Sequence, residues 1–162
     1  YESVPLVDFT HEIDELNGTI KSKKISVLGW AFKKDTNDSR ESASIYVTDQ
    51  LLEEGAQVCI YDPKVDKDQI INDLQNLWES NNTSKSEIES KLKRFNITQD
   101  YEECFNNSSC IAVLTEWDEF ITYDWNSLIQ NMEKQHVIID GRNILDRDKI
   151  SRVANKFIAI GK

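Results

Sequence analysis

The sequence contains no apolar run near the roughly 20 residues that a membrane-spanning helix needs, and nothing in it resembles a secretory signal. It has only three cysteines, Cys59, Cys104 and Cys110. They are odd in number, lie in or beside apolar segments and lack metal-ligand spacing. That speaks against a disulfide framework or a zinc site and for buried, reduced thiols in a cytoplasmic protein. Asn-x-Ser/Thr triplets at Asn17, Asn81, Asn96, Asn106 and Asn107 are, without a secretory signal, a matter of composition. Glycine is scarce, at 5 residues, and the glycine cluster that lets a dinucleotide-binding turn approach a pyrophosphate is missing. Positive charge is also short: 19 basic residues face 29 acidic ones. The net charge of −10 is spread over the whole chain and excludes nucleic acid or an anionic membrane as a bulk partner. A small anion is not excluded, because a few convergent basic side chains can reverse the local field.

A length of 162 residues suits one domain with a sizeable core. The most informative stretch is Lys24 to Ser42. It begins as an apolar strand containing Ile25 and Val27, reaches Gly29, and continues as a polar loop carrying Phe32, Lys33, Lys34, Asp35, Asp38 and Arg40. A helix with Ile45, Val47, Leu51 and Leu52 inward follows, capped around Ser42-Ala43-Ser44 and stopped at Gly55. Gln57 to Tyr61 is a second strand, so the three elements form a βαβ unit and imply a parallel sheet.

Further on, Ile70, Ile71, Leu74, Leu77 and Trp78 have helical spacing. The polar stretch 79–90 reads as an exposed connection or a short helix with Ile88 and Leu92 inward. A short strand is expected at Phe95 to Thr98 and a short helix at Asp100 to Phe105. Ser109 to Leu114 and His136 to Ile139 are strong strands, with a helix around Asp124 to Met132 between them. A helix near Asp146 to Ala154 and a strand at Phe157 to Ile160 close the chain. This alternation predicts an α/β fold, a Rossmann-like three-layer αβα sandwich with a mostly parallel sheet. The polar segments 32–40, 115–118 and 140–143 each follow a strand and should meet in one crevice at the carboxyl edge of the sheet. Lys33, Lys34 and Arg40 would hold phosphates there as side-chain charges rather than through backbone amides.

Four segments in order, Gly29 to Ser42 (GWAFKKDTNDSRES), Val58 to Val65 (VCIYDPKV), Val113 to Phe120 (VLTEWDEF) and Asp140 to Asp146 (DGRNILD), resemble the carboxyl-terminal domain of the UDP-glucose/GDP-mannose dehydrogenase family. The resemblance covers nearly everything from about Leu16 onward. It implies part of an enzyme that oxidises the C6 hydroxyl of UDP-glucose to a carboxylate in two NAD-dependent steps, giving UDP-glucuronate. Family members combine an NAD-binding domain, a long central helix and a UDP-sugar-binding domain. Residues 1–22 would be the end of that helix, with Phe9, Ile13, Leu16 and Ile20 on one face, and a loose start that suggests the chain begins inside a larger protein. Residues 23–162 would be the UDP-sugar-binding domain.

The resemblance further implies that Phe32, Lys33 and Arg142 contact the UDP-sugar and that Arg40 reaches NAD held mainly by another domain. Glu116 and Trp117 either touch ligand or shape the crevice. No cysteine here matches the family's nucleophile, so no catalytic residue and no metal site are expected, and the chain alone should be inactive. The implied partners are UDP-glucose, the rest of the same enzyme and, in the full-length protein, further copies of it. Two other readings stand beside this one: an oligomerisation module with helix faces such as Ile45/Leu52 or the acidic surface at subunit contacts, and the equivalent domain of a GDP-mannose or UDP-N-acetyl-sugar dehydrogenase. Trp30 replaces a smaller residue common in relatives, and Asn143 a second arginine.

Overall fold

A computed structural model of the chain describes residues 19–160. The expected central-helix residues up to Gly18 lie outside the described residues, and Thr19 and Ile20 are not helical. Strand β1 (Lys24–Leu28) leads through a loop to helix α1 (Ala43–Glu53) and strand β2 (Gln57–Tyr61). Helices α2 (Lys67–Ser80) and α3 (Lys85–Leu92) precede strand β3 (Phe95–Ile97). A 3₁₀ turn at Tyr101–Cys104 leads to strand β4 (Cys110–Val113). Two five-residue helices, α4 (Asp118–Thr122) and α5 (Trp125–Ile129), then strand β5 (Val137–Asp140), helix α6 (Arg147–Val153) and strand β6 (Phe157–Ala159) complete the described chain.

The six strands pair in the order β3-β2-β1-β4-β5-β6 and every pairing is parallel. From β1 the chain winds outward to β3, crosses back to β4 and winds the opposite way to β6. Right-handed crossovers in opposite directions put helices on both faces of the sheet. Those faces explain why the central strands are uninterrupted apolar runs rather than alternating ones. Ile25, Val27 and Leu28 in β1, Val58 and Ile60 in β2, Ile111 to Val113 in β4 and Val137 to Ile139 in β5 are all buried. Each such aliphatic side chain contributes about 1.5–3 kcal/mol on burial.

Side-chain caps set the helix starts. Ser42 Oγ accepts the Ser44 N–H at α1, Asp66 the Gln69 N–H at α2, and Asp146 the Lys149 N–H at α6. The core contains Ile45 and Leu52, at 8% and 0% exposure. That helix face is spent inside the chain and is not available as a subunit contact, contrary to the expectation above. The stretch after Ser80 also differs from expectation. Ile88 is half-buried and Leu92 is exposed, while Lys91 turns inward. The Lys91 ammonium meets Asp49 at 2.9 Å and Glu53 at 3.2 Å, and Asp49 also accepts the Trp78 indole N–H at 2.7 Å. An ion pair with α1 thus decides which side of α3 faces inward, where apolar spacing points to Leu92. The helix expected around Asp124 to Met132 is shorter, and α4 before it was not anticipated. Its five residues are too few for a periodic signal.

All three cysteines are buried and free of disulfides. Cys59 and Cys104 approach to 3.5 Å between sulfurs, and burial pushes the Cys110 thiol up.

Candidate functional site: a crevice at the strand-order reversal

The strand order reverses at β1, whose neighbours β2 and β4 continue in opposite chain directions. Ligands of open α/β sheets bind outside the carboxyl ends at such a point. Here Gly29, φ +103°, turns the chain out of β1 directly against Thr115 after β4. A Cβ on Gly29 would lie 2.5 Å from the Thr115 Cβ and Oγ1 and 2.7 Å from its backbone nitrogen. The Thr115 hydroxyl donates to the Ala31 carbonyl at 2.6 Å, fastening the two loops.

Carboxylates organise everything beyond that contact. Glu116 accepts the Lys34 backbone N–H at 3.1 Å through one oxygen and the Arg142 guanidinium at 2.8 Å through the other. It therefore ties together the loops after β1, β4 and β5. Asp118 pairs with the Lys34 ammonium at 3.1 Å, which holds that lysine above its ordinary value. Buried Asp140 accepts the backbone N–H groups of Arg142 and Leu145, at 3.1 and 2.8 Å, and shapes the loop that presents the arginine.

Asp73 of α2 reaches the loop after β1 from the other side, accepting the Trp30 indole N–H at 2.9 Å and the Ser39 hydroxyl at 2.5 Å. Trp30 is fully buried, so the bulky residue at this position serves as an anchor for its loop. Asp62, at the end of β2, accepts the Trp30 and Ala31 backbone N–H groups at 2.6 and 2.9 Å and the Trp117 indole N–H at 3.1 Å, all on one oxygen.

The three strand-end segments meet as expected, but the residues assigned to ligand divide into two groups. Arg142 lies against Glu116 at the carboxyl edge of the sheet, and Lys34, whose backbone N–H the same Glu116 accepts, pairs with Asp118. Phe32 and Arg40 instead line a groove of about 640 Å³ between the loop, α1 and α2, together with Tyr46 and Leu77. The exposed Lys33 ammonium lies 5.6 Å from the centre of the Phe32 ring. Arg40 grips Asp38 through Nε and Nη2, at 3.0 and 2.8 Å, and this pair lowers the Asp38 carboxyl to about 2. Sequence reasoning places Asp62 and Asp140 in strand-end motifs but assigns no role to them or to Asp73. A signal existed for two of them, since each is an aspartate at the end of a strand where the loop must turn. For Asp73 there was none, because its partners are more than thirty residues away in sequence.

The residues of the first turn do not fit the pyrophosphate of NAD. The amides of Trp30 and Ala31 that would face it already bind Asp62, and a side chain follows Gly29 where a second glycine would be needed. Among the described residues no cluster of His, Cys, Asp or Glu is arranged to hold a metal ion, and no helix is long and apolar enough to cross a membrane.

Fold and strand-end loops together define a doubly wound, Rossmann-like α/β domain whose carboxyl edge carries paired side-chain charges. The chain belongs to the UDP-glucose/GDP-mannose dehydrogenase family, matching its UDP binding domain over residues 26–147. It is 40% identical over 151 residues to UDP-glucose 6-dehydrogenase of Drosophila melanogaster, a match covering 93% of this chain and 30% of that protein. Identity to UDP-glucose 6-dehydrogenase of Gallus gallus is 40% over 152 residues, with the same coverages. The NDP-N-acetyl-D-galactosaminuronic acid dehydrogenase structure from Methanosarcina mazei superposes with a TM-score of 0.70 at 25% identity, over 97% of this chain and 28% of that one. The chain thus spans about 30% of the length of the curated relatives it matches.

Proposed function

We propose that this chain is the UDP-sugar-binding part of an NAD-dependent UDP-glucose 6-dehydrogenase, which oxidises UDP-glucose to UDP-glucuronate in the cytoplasm. The observation that supports the reading is the Arg142–Glu116–Lys34 junction at the carboxyl edge of the sheet, which holds the Arg142 guanidinium in one orientation. Arginine presents a planar fork that matches phosphate oxygens, and charge-assisted bonds of this kind are about twice as strong as neutral ones. Arg142 binds the diphosphate, while Lys33 and Phe32 contact the nucleotide-sugar from the neighbouring loop. Arg40 leaves Asp38 to reach NAD, which another part of the enzyme holds and which accepts the hydride.

UDP-glucose is favoured over GDP-mannose and UDP-N-acetyl sugars because the relatives near 40% identity carry that substrate in their names. The full-length enzyme works as a homo-oligomer. Calorimetry of the 162-residue chain with UDP-glucose, beside a dehydrogenase assay with NAD, tests the reading. Binding without NADH production is expected; absence of binding, or turnover by this chain, overturns it.

A further inference from the structure

One carboxylate oxygen of Asp62 accepts three N–H groups: Trp30 N at 2.6 Å, Ala31 N at 2.9 Å and Trp117 Nε1 at 3.1 Å. The other oxygen accepts Lys64 N at 2.8 Å and Val65 N at 2.9 Å. Five donors converging on one anion, two of them successive backbone amides leaving the first strand, form the kind of concave amide cradle that elsewhere binds phosphate groups. The anion here belongs to the chain itself. It forms part of the wall of a cavity of about 500 Å³ at the carboxyl ends of β2 and β3, whose rim carries Lys64, Lys67, Thr98 and Gln99.

We infer that Asp62 is the built-in ligand of an oxyanion cradle formed by the Trp30 and Ala31 amides and the Trp117 indole, and that inorganic phosphate occupies the cradle when this side chain is cut back. With Asp62 in place the amides of the first βα turn are satisfied by the chain itself and are closed to a dinucleotide. Phosphate recognition by this domain is thereby left to side-chain cations. The filled cradle also explains how a turn without a glycine cluster is held tightly, because the carboxylate draws the two amides inward. The inference rests on the geometry of Asp62 alone and does not require that the crevice at Arg142 bind a nucleotide-sugar.

The test compares the 162-residue chain with D62A by amide and indole NMR during titration with sodium phosphate, with sodium chloride at matched ionic strength as the control. In D62A the Trp30 and Ala31 amides and the Trp117 indole shift saturably, with an apparent affinity roughly tenfold or more above that of the parent. A folded D62A with no saturable shift overturns the inference, as does saturable binding that leaves these three resonances unmoved. D62N covers the case in which truncation unfolds the chain, since it keeps the volume and one acceptor oxygen. Hydrogen exchange at Trp30 and Ala31 then accelerates roughly tenfold relative to Val27 in the strand, and unaltered exchange overturns the inference.

Discussion

Arg142 and Glu116 meet at 2.8 Å across two strand-end loops, and both side chains are largely buried, at 17% and 26% exposure. An arginine so held cannot wander among surface conformers, so much of the ordering cost of binding an anion is met before the anion arrives.

Replacing Arg142 by alanine is expected to weaken UDP-glucose binding roughly tenfold or more, the loss of at least one charge-assisted hydrogen bond. R142K should recover less than half of the lost binding free energy, because an ammonium lacks the planar fork that reaches Glu116 and phosphate together. Calorimetry on the three proteins decides it; full recovery by lysine would reduce Arg142 to a point charge.

Gly29 is predicted to tolerate no side chain. G29A forces a non-glycine residue to φ +103° and drives a Cβ into Thr115, a combination expected to cost about 3 kcal/mol or more. Because the clash includes the Thr115 backbone nitrogen at 2.7 Å, adding T115A should not restore stability. Urea unfolding of the single and double variants is the measurement, and a double variant matching the parent would contradict the geometry.

The Asp38 carboxyl should titrate near 2, followed by its carboxyl carbon resonance. Hydrogen bonds from the Arg40 side chain and backbone lower it below its unfolded value of 3.8. The pair's contribution is therefore present above that unfolded value and disappears as pH falls through about 2. R40A is expected to return the titration part of the way to 3.8, because the backbone N–H of residue 40 still donates to Asp38. Were the value unchanged in R40A, the Arg40 side chain would not be the cause.

Lys91 supplies the alkaline counterpart. Burial works against its charge, but hydrogen bonds and attraction from Asp49 and Glu53 outweigh it and raise the ammonium above 10.5. A raised lysine stabilises fully below its unfolded value and loses that contribution as pH climbs through the folded one. K91M, which leaves the Asp49 carboxylate with the Trp78 indole but no counter-charge, should lower stability by about 2–4 kcal/mol at neutral pH. The gap between K91M and parent should narrow above pH 10.5. A gap independent of pH would mean that the lysine acts through its stem alone.

The doubly wound fold was legible in the sequence because buried parallel strands and amphipathic helices write their burial directly into apolar spacing. Ile25 to Leu28, Val58 to Ile60, Ile111 to Val113 and Val137 to Ile139 are strands in both readings. The meeting of segments 32–40, 115–118 and 140–143 at one edge was legible too, since each follows a strand and parallel strands end on the same side. Invisible in the sequence were pairings between distant polar residues: Lys91 with Asp49, Trp30 with Asp73, Trp117 with Asp62. Polar side chains have no period. Any of several acids could have met Lys91, and the choice waits on which helix packs where.

The sequence by itself thus determined the strands, the order of the charged loops and the family to which the chain belongs. Tertiary structure alone decided that Phe32 and Arg40 share one groove while Arg142 pairs with Glu116 outside it. It also decided that the amides of Trp30 and Ala31 are already taken by Asp62. Apolar burial is set by local spacing, whereas the direction of a charged side chain is set by whichever opposite charge the folded sheet brings within about 3 Å.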